Sequence, residues 1–329
     1  MLFAGAICFS CSDDGEGSDV LPSTPPAETK PSDGQREIDS LEVWCIGHEG
    51  LKIYGKLFFP KGNDKALPAV ILSHSHSLTH EAMRGYARLI AEQGFVAYCF
   101  DFCGGSSSSK SEGSTDAMTL FTEKDDLQGV LGDISSRSDV DASRLFLLGS
   151  SLGGVASALV AEENPGKVAG LILFYPAFNI GELISQLTGS MGSWGGMGGM
   201  DFMNNAFVQA LKDYDIYAHI GTYPGDVLIL QGTNDIIVPQ ASVEKAADRY
   251  AHCTVQMIQG ANHGFNAANL GSMGAMMGST ANYDDVVMPF VYNYLSEHTA
   301  AAKYSIGRMC DNIKECSPKK STSTASCAA

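Results

Sequence analysis

An α/β fold built on one doubly wound, mostly parallel sheet of about eight strands, with a cap insertion, is predicted by three observations. First, short continuous apolar runs such as AVILS at Ala69–Ser73 and LFLL at Leu145–Leu148 recur along the chain, and strands buried on both faces need runs of this kind. Second, these runs alternate with helical stretches, which implies parallel pairing through right-handed crossovers. Third, the 329 residues are 44% hydrophobic and 18% charged. That is enough apolar material for a large core and too much for a disordered chain.

The elements follow in order. Leu41–Ile46 and Leu51–Phe59 alternate around His48-Glu49-Gly50 and predict an antiparallel hairpin. Strand Ala69–Ser73 is followed by a helix over Glu81–Gln93, with Met83, Tyr86, Ala87, Ile90 and Ala91 on one face. Then come strand Phe95–Phe100, helix Glu123–Asp133, strand Leu145–Leu148, helix Leu152–Glu163 and strand Val168–Phe174. Strand Val227–Gln231, helix Gln240–Tyr250, strand Thr254–Ile258 and helix Asp284–Glu297 close the series. Two insertions interrupt it, Pro176–Thr222 and the shorter Ala267–Tyr283.

Charge narrows the function classes. Asp plus Glu number 37 against 21 Lys plus Arg, a formal charge of −16. That field repels nucleic-acid phosphates and anionic membrane surfaces alike. No apolar run reaches the roughly 18 to 20 residues of a membrane-spanning helix. Nine cysteines are present, but no CxxC pair is followed by a second at zinc spacing, so a structural zinc site is not expected.

The ends divide from the middle. Residues 1–11 read as a signal segment (MLFAGAICFS, then Cys11), 12–39 as a Pro-, Ser- and acid-rich tether, and 301–329 as a polar tail. The α/β domain is expected over 40–300, with the cap insertion over 176–222. The start resembles a bacterial lipoprotein, which implies acylation at Cys11 and export to the periplasm or the cell surface. In that oxidising setting Cys310 and Cys316 either pair or remain free thiols.

The strongest chemical signal is Gly149-Ser150-Ser151-Leu152-Gly153 between an apolar strand and a helix. A serine on so tight a turn requires glycine two residues to either side, and only Ser151 has both. A serine hydroxyl is a weak nucleophile that needs a base, itself oriented by an acid. In an open parallel sheet both must come from loops at the carboxyl ends of strands. Asp226 and His252 precede their strands and are excluded. Asp235 follows one strand in QGTNDIIVP and His263 follows the next in QGANHGF. For the oxyanion, the backbone N–H groups of Leu152 and His76 are the expected donors. His74, His76 and His80 also invite a metal reading, with Glu81 as supporting carboxylate. The oxyanion loop explains the segment without one, and no metal or organic cofactor is expected.

With these residues in place, the chain resembles the bacterial α/β-hydrolases, and among them the cinnamoyl/feruloyl esterase-like group. ILSHSHS, LFTEKDDLQGVL, VDASRLFLLGSSLGG, GLILFYPAF, VLILQGTNDIIVP and GANHGF carry the resemblance, which spans Leu41–Glu297. It implies the α/β-hydrolase fold, with Ser151, Asp235 and His263 as triad and His76 and Leu152 as oxyanion donors. The chain departs from the group where Ser75 replaces a Gly, Leu152 a Gln, and Cys103 a more polar residue. Met191, Trp194, Met197, Met200, Phe202, Met203 and Phe207 either form an adaptable apolar cap or lie in a surface loop. Trp194, Phe202 and Tyr175 are the expected substrate contacts. The expected activity is hydrolysis of carboxylic esters, of a feruloyl or acetyl type on plant-derived, polysaccharide-linked material. A prolyl-oligopeptidase-like serine peptidase and a silent surface binding protein are the alternatives.

Overall fold

The computed structural model describes residues 36–189, 205–266 and 282–314, with side chains over 36–185, 205–266 and 282–299. Its sheet comprises β1 (Ile38–Ile46), β2 (Lys52–Pro60), β3 (Leu67–Ser73), β4 (Val96–Phe100), β5 (Val140–Ser150), β6 (Gly170–Phe174), β7 (Val227–Gly232) and β8 (Cys253–Ile258). They lie in the order β1-β2-β4-β3-β5-β6-β7-β8. The hairpin β1–β2 and the β2–β4 pair are antiparallel, and every pairing from β4 to β8 is parallel. The doubly wound sheet expected from the alternation is therefore present. β5, which ends at the predicted nucleophile, lies near its centre.

Helices α1 (Glu81–Glu92), α2 (Leu120–Ser135), α3 (Leu152–Glu163), α4 (Ile180–Gly189), α5 (Asn205–Leu211), α6 (Gln240–Ala247) and α7 (Asp284–Lys314) accompany the sheet, with 3₁₀ turns at His48–Gly50 and Ile216–His219. Side chains alternate across a strand, so the continuous apolar runs feed two cores. Ile71 and Leu147 join Leu127, Val155 and Val160 on the α2–α3 face. Val70 and Leu148 join Ile90 and Val291 on the α1–α7 face.

Several boundaries differ from expectation, and four bear on the limits of the domain and its elements. Ile38 and Asp39, assigned to the tether, pair with Pro60 and Phe59 and extend the hairpin. Helix α2 begins at Leu120 rather than Glu123 because Thr119 and Thr122 cap it reciprocally, each side chain accepting the other's backbone N–H at 3.1 and 2.8 Å. Strand β5 starts at Val140, paired with Leu67 across a register shift. Helix α7 carries the backbone on to Lys314 through what reads as a polar tail from residue 301. Segment 1–11 with Cys11, most of the tether, and Cys316 lie outside the described residues. Cys310 falls on α7 beyond the described side chains.

Helix α2 fastens the hairpin to the body of the domain. The Asp126 carboxylate, fully buried, accepts the backbone N–H of His48 at 3.1 Å and faces its Nδ1 at 2.6 Å. Its other oxygen accepts the N–H of Cys103 at 2.8 Å. Gly47 is required here, because a Cβ would overlap that carboxylate. One turn earlier, Glu123 is 1% exposed and neither of its oxygens has a hydrogen-bond partner. Burial first, and the Asp126 charge second, push its carboxyl well above the usual range. The native state therefore holds a proton that the unfolded chain releases as pH rises past the ordinary carboxyl range, so stability falls with pH above that point. Glu123→Gln removes this loss. Its thermal midpoint should rise by about 2–4 °C at pH 8 and barely change near pH 5. Equal shifts at both pH values, read by calorimetry, would contradict the assignment.

Candidate active site

Ser151 sits between β5 and α3 with φ 51° and ψ −116°, a backbone conformation that costs a side-chain-bearing residue about 1–3 kcal/mol. The surroundings hold it there. Its N–H donates to Phe174 O at 2.9 Å, and its carbonyl accepts from Gly154, Ala177 and Val155 N–H at 3.1, 3.1 and 3.3 Å. The glycines at 149 and 153 are needed for contact. A Cβ on Gly149 would overlap the Gly153 carbonyl, and one on Gly153 would overlap the carbonyls of His74 and Ser73. The elbow thus packs directly on the loop after β3.

The loops after β7 and β8 bring Asp235 and His263 to the same end of the sheet. His263 Nε2 lies 3.1 Å from Ser151 Oγ, and its Nδ1 lies 2.8 Å from Asp235 Oδ2. Asp235 is fixed in turn, Oδ1 accepting the N–H groups of Ile237 and Val238 at 2.9 Å each and Oδ2 accepting Gln231 Nε2 at 3.1 Å. An ionised carboxylate can only accept, so Nδ1 carries the proton of a neutral His263 and the Nε2 lone pair faces Ser151. The Asp235 side chain is wholly buried, and His263 retains 6% side-chain exposure. The structure thus brings together all three residues picked from sequence.

The loop after β3 is held by a residue that sequence reasoning placed in that loop and in a metal alternative, without giving it this role. His74 is buried and accepts the Phe102 N–H on Nε2 at 3.1 Å, so its Nδ1–H donates to Ser75 O at 2.8 Å. Burial lowers its pKa to about 4, which keeps it neutral. His80 turns its Nδ1 to Asp101, 2.7 Å away. The rings of His74 and His80 are thus turned to separate protein partners. His76 is partly exposed, its ring 5.4 Å from that of Phe207 on α5. Leu152 opens α3, where a backbone N–H has no intrahelical acceptor.

Of the expected substrate contacts, Trp194 and Phe202 lie outside the described residues. Tyr175 is a correction. It is 2% exposed, and its ring packs 4.6 Å from that of His263, so it is a buried packing partner of that ring rather than a surface for a substrate. An open cleft of about 570 Å³ beside α4, α5 and α6, lined by Phe178, Tyr214 and Lys245, includes none of Ser151, Asp235 and His263.

Comparison with known proteins agrees with this architecture. The Hydrolase_4 family, described as serine aminopeptidase, S33, matches residues 64–197. The alpha/beta hydrolase domain-containing protein WAV2 of Arabidopsis thaliana is 34% identical over 137 residues, 39% of this chain and 43% of that protein. Human monoglyceride lipase is 29% identical over 157 residues, 46% of this chain and 48% of the lipase. The chain thus spans a little under half the length of these two relatives. Est1E from Butyrivibrio proteoclasticus, solved with ferulic acid bound, superposes with a TM-score of 0.64 at 20% identity, covering 78% of this chain and 100% of its own. Strand order, the strained turn after the central strand and the solved neighbour agree on one answer: this chain has the α/β-hydrolase fold.

Proposed function

We propose that the protein is a serine hydrolase of carboxylic esters, with Ser151 as nucleophile, His263 as general base and acid, and Asp235 as its orienting carboxylate. The observation that carries this reading is the His263 ring bridging Ser151 Oγ and Asp235 Oδ2 at 3.1 and 2.8 Å. As Ser151 Oγ bonds to the substrate carbonyl carbon, its proton passes to His263 Nε2, and Asp235 stabilises the imidazolium that forms. The carbonyl oxygen takes up the electron pair and is held by the N–H groups of Leu152 and His76. Collapse breaks the carbon–oxygen bond to the alcohol, which leaves with the proton from His263. Water, deprotonated by the same nitrogen, then releases the acid and restores Ser151.

A small or aryl acyl group on a plant-derived, polysaccharide-linked ester is the substrate class we favour. The ferulic acid held by Est1E and the apolar Phe207 beside His76 support it. The family match carries the description of an aminopeptidase, which keeps amide cleavage as a second reading. Acylation at Cys11 with export belongs to the same proposal, and loss of labelled palmitate incorporation in Cys11→Ala tests it. A panel of short-chain nitrophenyl esters, methyl ferulate, acetylated xylan and dipeptide amides separates the readings. Ester turnover with little amide turnover is the expected result; amide turnover without ester selectivity would favour the peptidase. A protein inert to all of these and to a fluorophosphonate would be a silent binder.

A further inference from the structure

His48, Cys103 and Asp126 converge from three separate elements: the turn between β1 and β2, the loop after β4, and helix α2. Each offers one metal-ligating atom, and these atoms all lie within 4.8 Å of one another. None of the three belongs to the proposed reactive site. Zinc, with bonds of about 2.0–2.3 Å, sets tetrahedral ligand atoms roughly 3.3–3.6 Å apart, so the side chains stand close to the required spacing. The His48 Nδ1 to Asp126 Oδ1 distance of 2.6 Å has to open by only about 0.7 Å to meet it. His48 is the member free to give way, since its side chain keeps 15% exposure while that of Asp126 has none.

The surroundings support such a centre. Asp126 accepts the backbone N–H of His48 on Oδ1 at 3.1 Å and that of Cys103 on Oδ2 at 2.8 Å, outer hydrogen bonds of the kind that orient a ligating carboxylate. Cys103, one of the departures from the esterase-like group, is 2% exposed, and its thiol lies 3.9 Å from Lys52 O. That carbonyl is within reach of a fourth position. We propose that His48 Nδ1, Cys103 Sγ and Asp126 form a site for a borderline-soft divalent cation of the zinc type, which clips the β1–β2 turn to α2 and to the loop after β4. Sulfur and imidazole favour such an ion over calcium and magnesium, which take oxygen ligands. As the thiolate bonds the metal, the Cys103 proton leaves to solvent. The His48 proton shifts from Nδ1, where it faces the carboxylate, to Nε2, and the freed Nδ1 lone pair becomes the second ligand. Binding to the folded chain alone then raises its stability with metal concentration.

Cobalt(II) reports such a site by its spectrum. The test uses the reduced full chain with Cys8, Cys11, Cys310, Cys316 and Cys327 replaced by serine, so that thiols near the two ends do not compete. Cobalt(II) should give a thiolate-to-cobalt charge-transfer band together with the strong visible bands of a four-coordinate ion. Zinc should displace it and, at about a hundredfold its Kd, raise the thermal midpoint by about 5–10 °C. Calcium and magnesium should leave the midpoint where it was. Cys103→Ser should abolish the charge-transfer band, and His48→Gln should weaken zinc binding by about tenfold or more. His48 lies on a partly exposed turn, so its variant carries the test even if Cys103→Ser does not fold. No charge-transfer band, a band that survives Cys103→Ser, or zinc affinity unchanged in His48→Gln would overturn the site. A midpoint raised as much by magnesium as by zinc would do the same. Ester hydrolysis enters none of these readings, so the metal site and the proposed activity stand or fall separately.

Discussion

Ser151→Ala is expected to lower ester turnover by about ten-thousandfold or more, to whatever the oxyanion donors supply alone. The substitution removes only Oγ, whose partner is His263 Nε2 at 3.1 Å. The Cβ and the φ of 51° remain, so the strain at the elbow and the thermal midpoint should stay close to those of the wild type. Steady-state kinetics with a nitrophenyl ester beside a melting curve measures both. Turnover surviving within tenfold of the wild type would remove Ser151 as the nucleophile.

Asp235→Asn is the more discriminating substitution, because it changes hydrogens rather than shape. Asp235 Oδ1 accepts two backbone N–H groups, from Ile237 and Val238, so the amide oxygen of an asparagine must take that place. Its NH₂ is then directed at His263 Nδ1 and can only donate. The ring answers by moving its proton to Nε2, where it faces Ser151 Oγ and cannot receive another. A fall in kcat of roughly ten-thousandfold is expected from such a tautomer change, with KM little altered. A loss smaller than tenfold would mean that Asp235 holds the loop and does not govern the base.

Much of this arrangement was legible in the sequence because it depends on backbone rules. The elbow needs glycine at 149 and 153, and the end-of-strand rule separates Asp235 and His263 from Asp226 and His252. Asp226 indeed lies across the domain, paired with His298 at 2.8 Å. What escaped were features set by tertiary contact. The burial of Tyr175 depends on β6 lying between β5 and β7, which a linear pattern does not convey. The pin role of His74 needs Phe102, 28 residues away, to donate into its ring. The early start of α2 had a readable signal, since Thr119-x-x-Thr122 is a weak form of the reciprocal cap. The unpaired Glu123 had none, because a glutamate at a helix start normally reads as solvated.

The contact of Gly153 with the His74 and Ser73 carbonyls has a consequence for how such a protein can change. The elbow and the loop after β3 meet main chain to main chain, so their spacing does not depend on the side chains they present. Within the 176–222 insertion the constraint falls at particular points: the Ala177 N–H holds the Ser151 carbonyl, and the Phe207 ring packs beside that of His76. Changes at its exposed positions, such as Lys212 and Asp213, are therefore expected to leave the spacing of the elbow untouched.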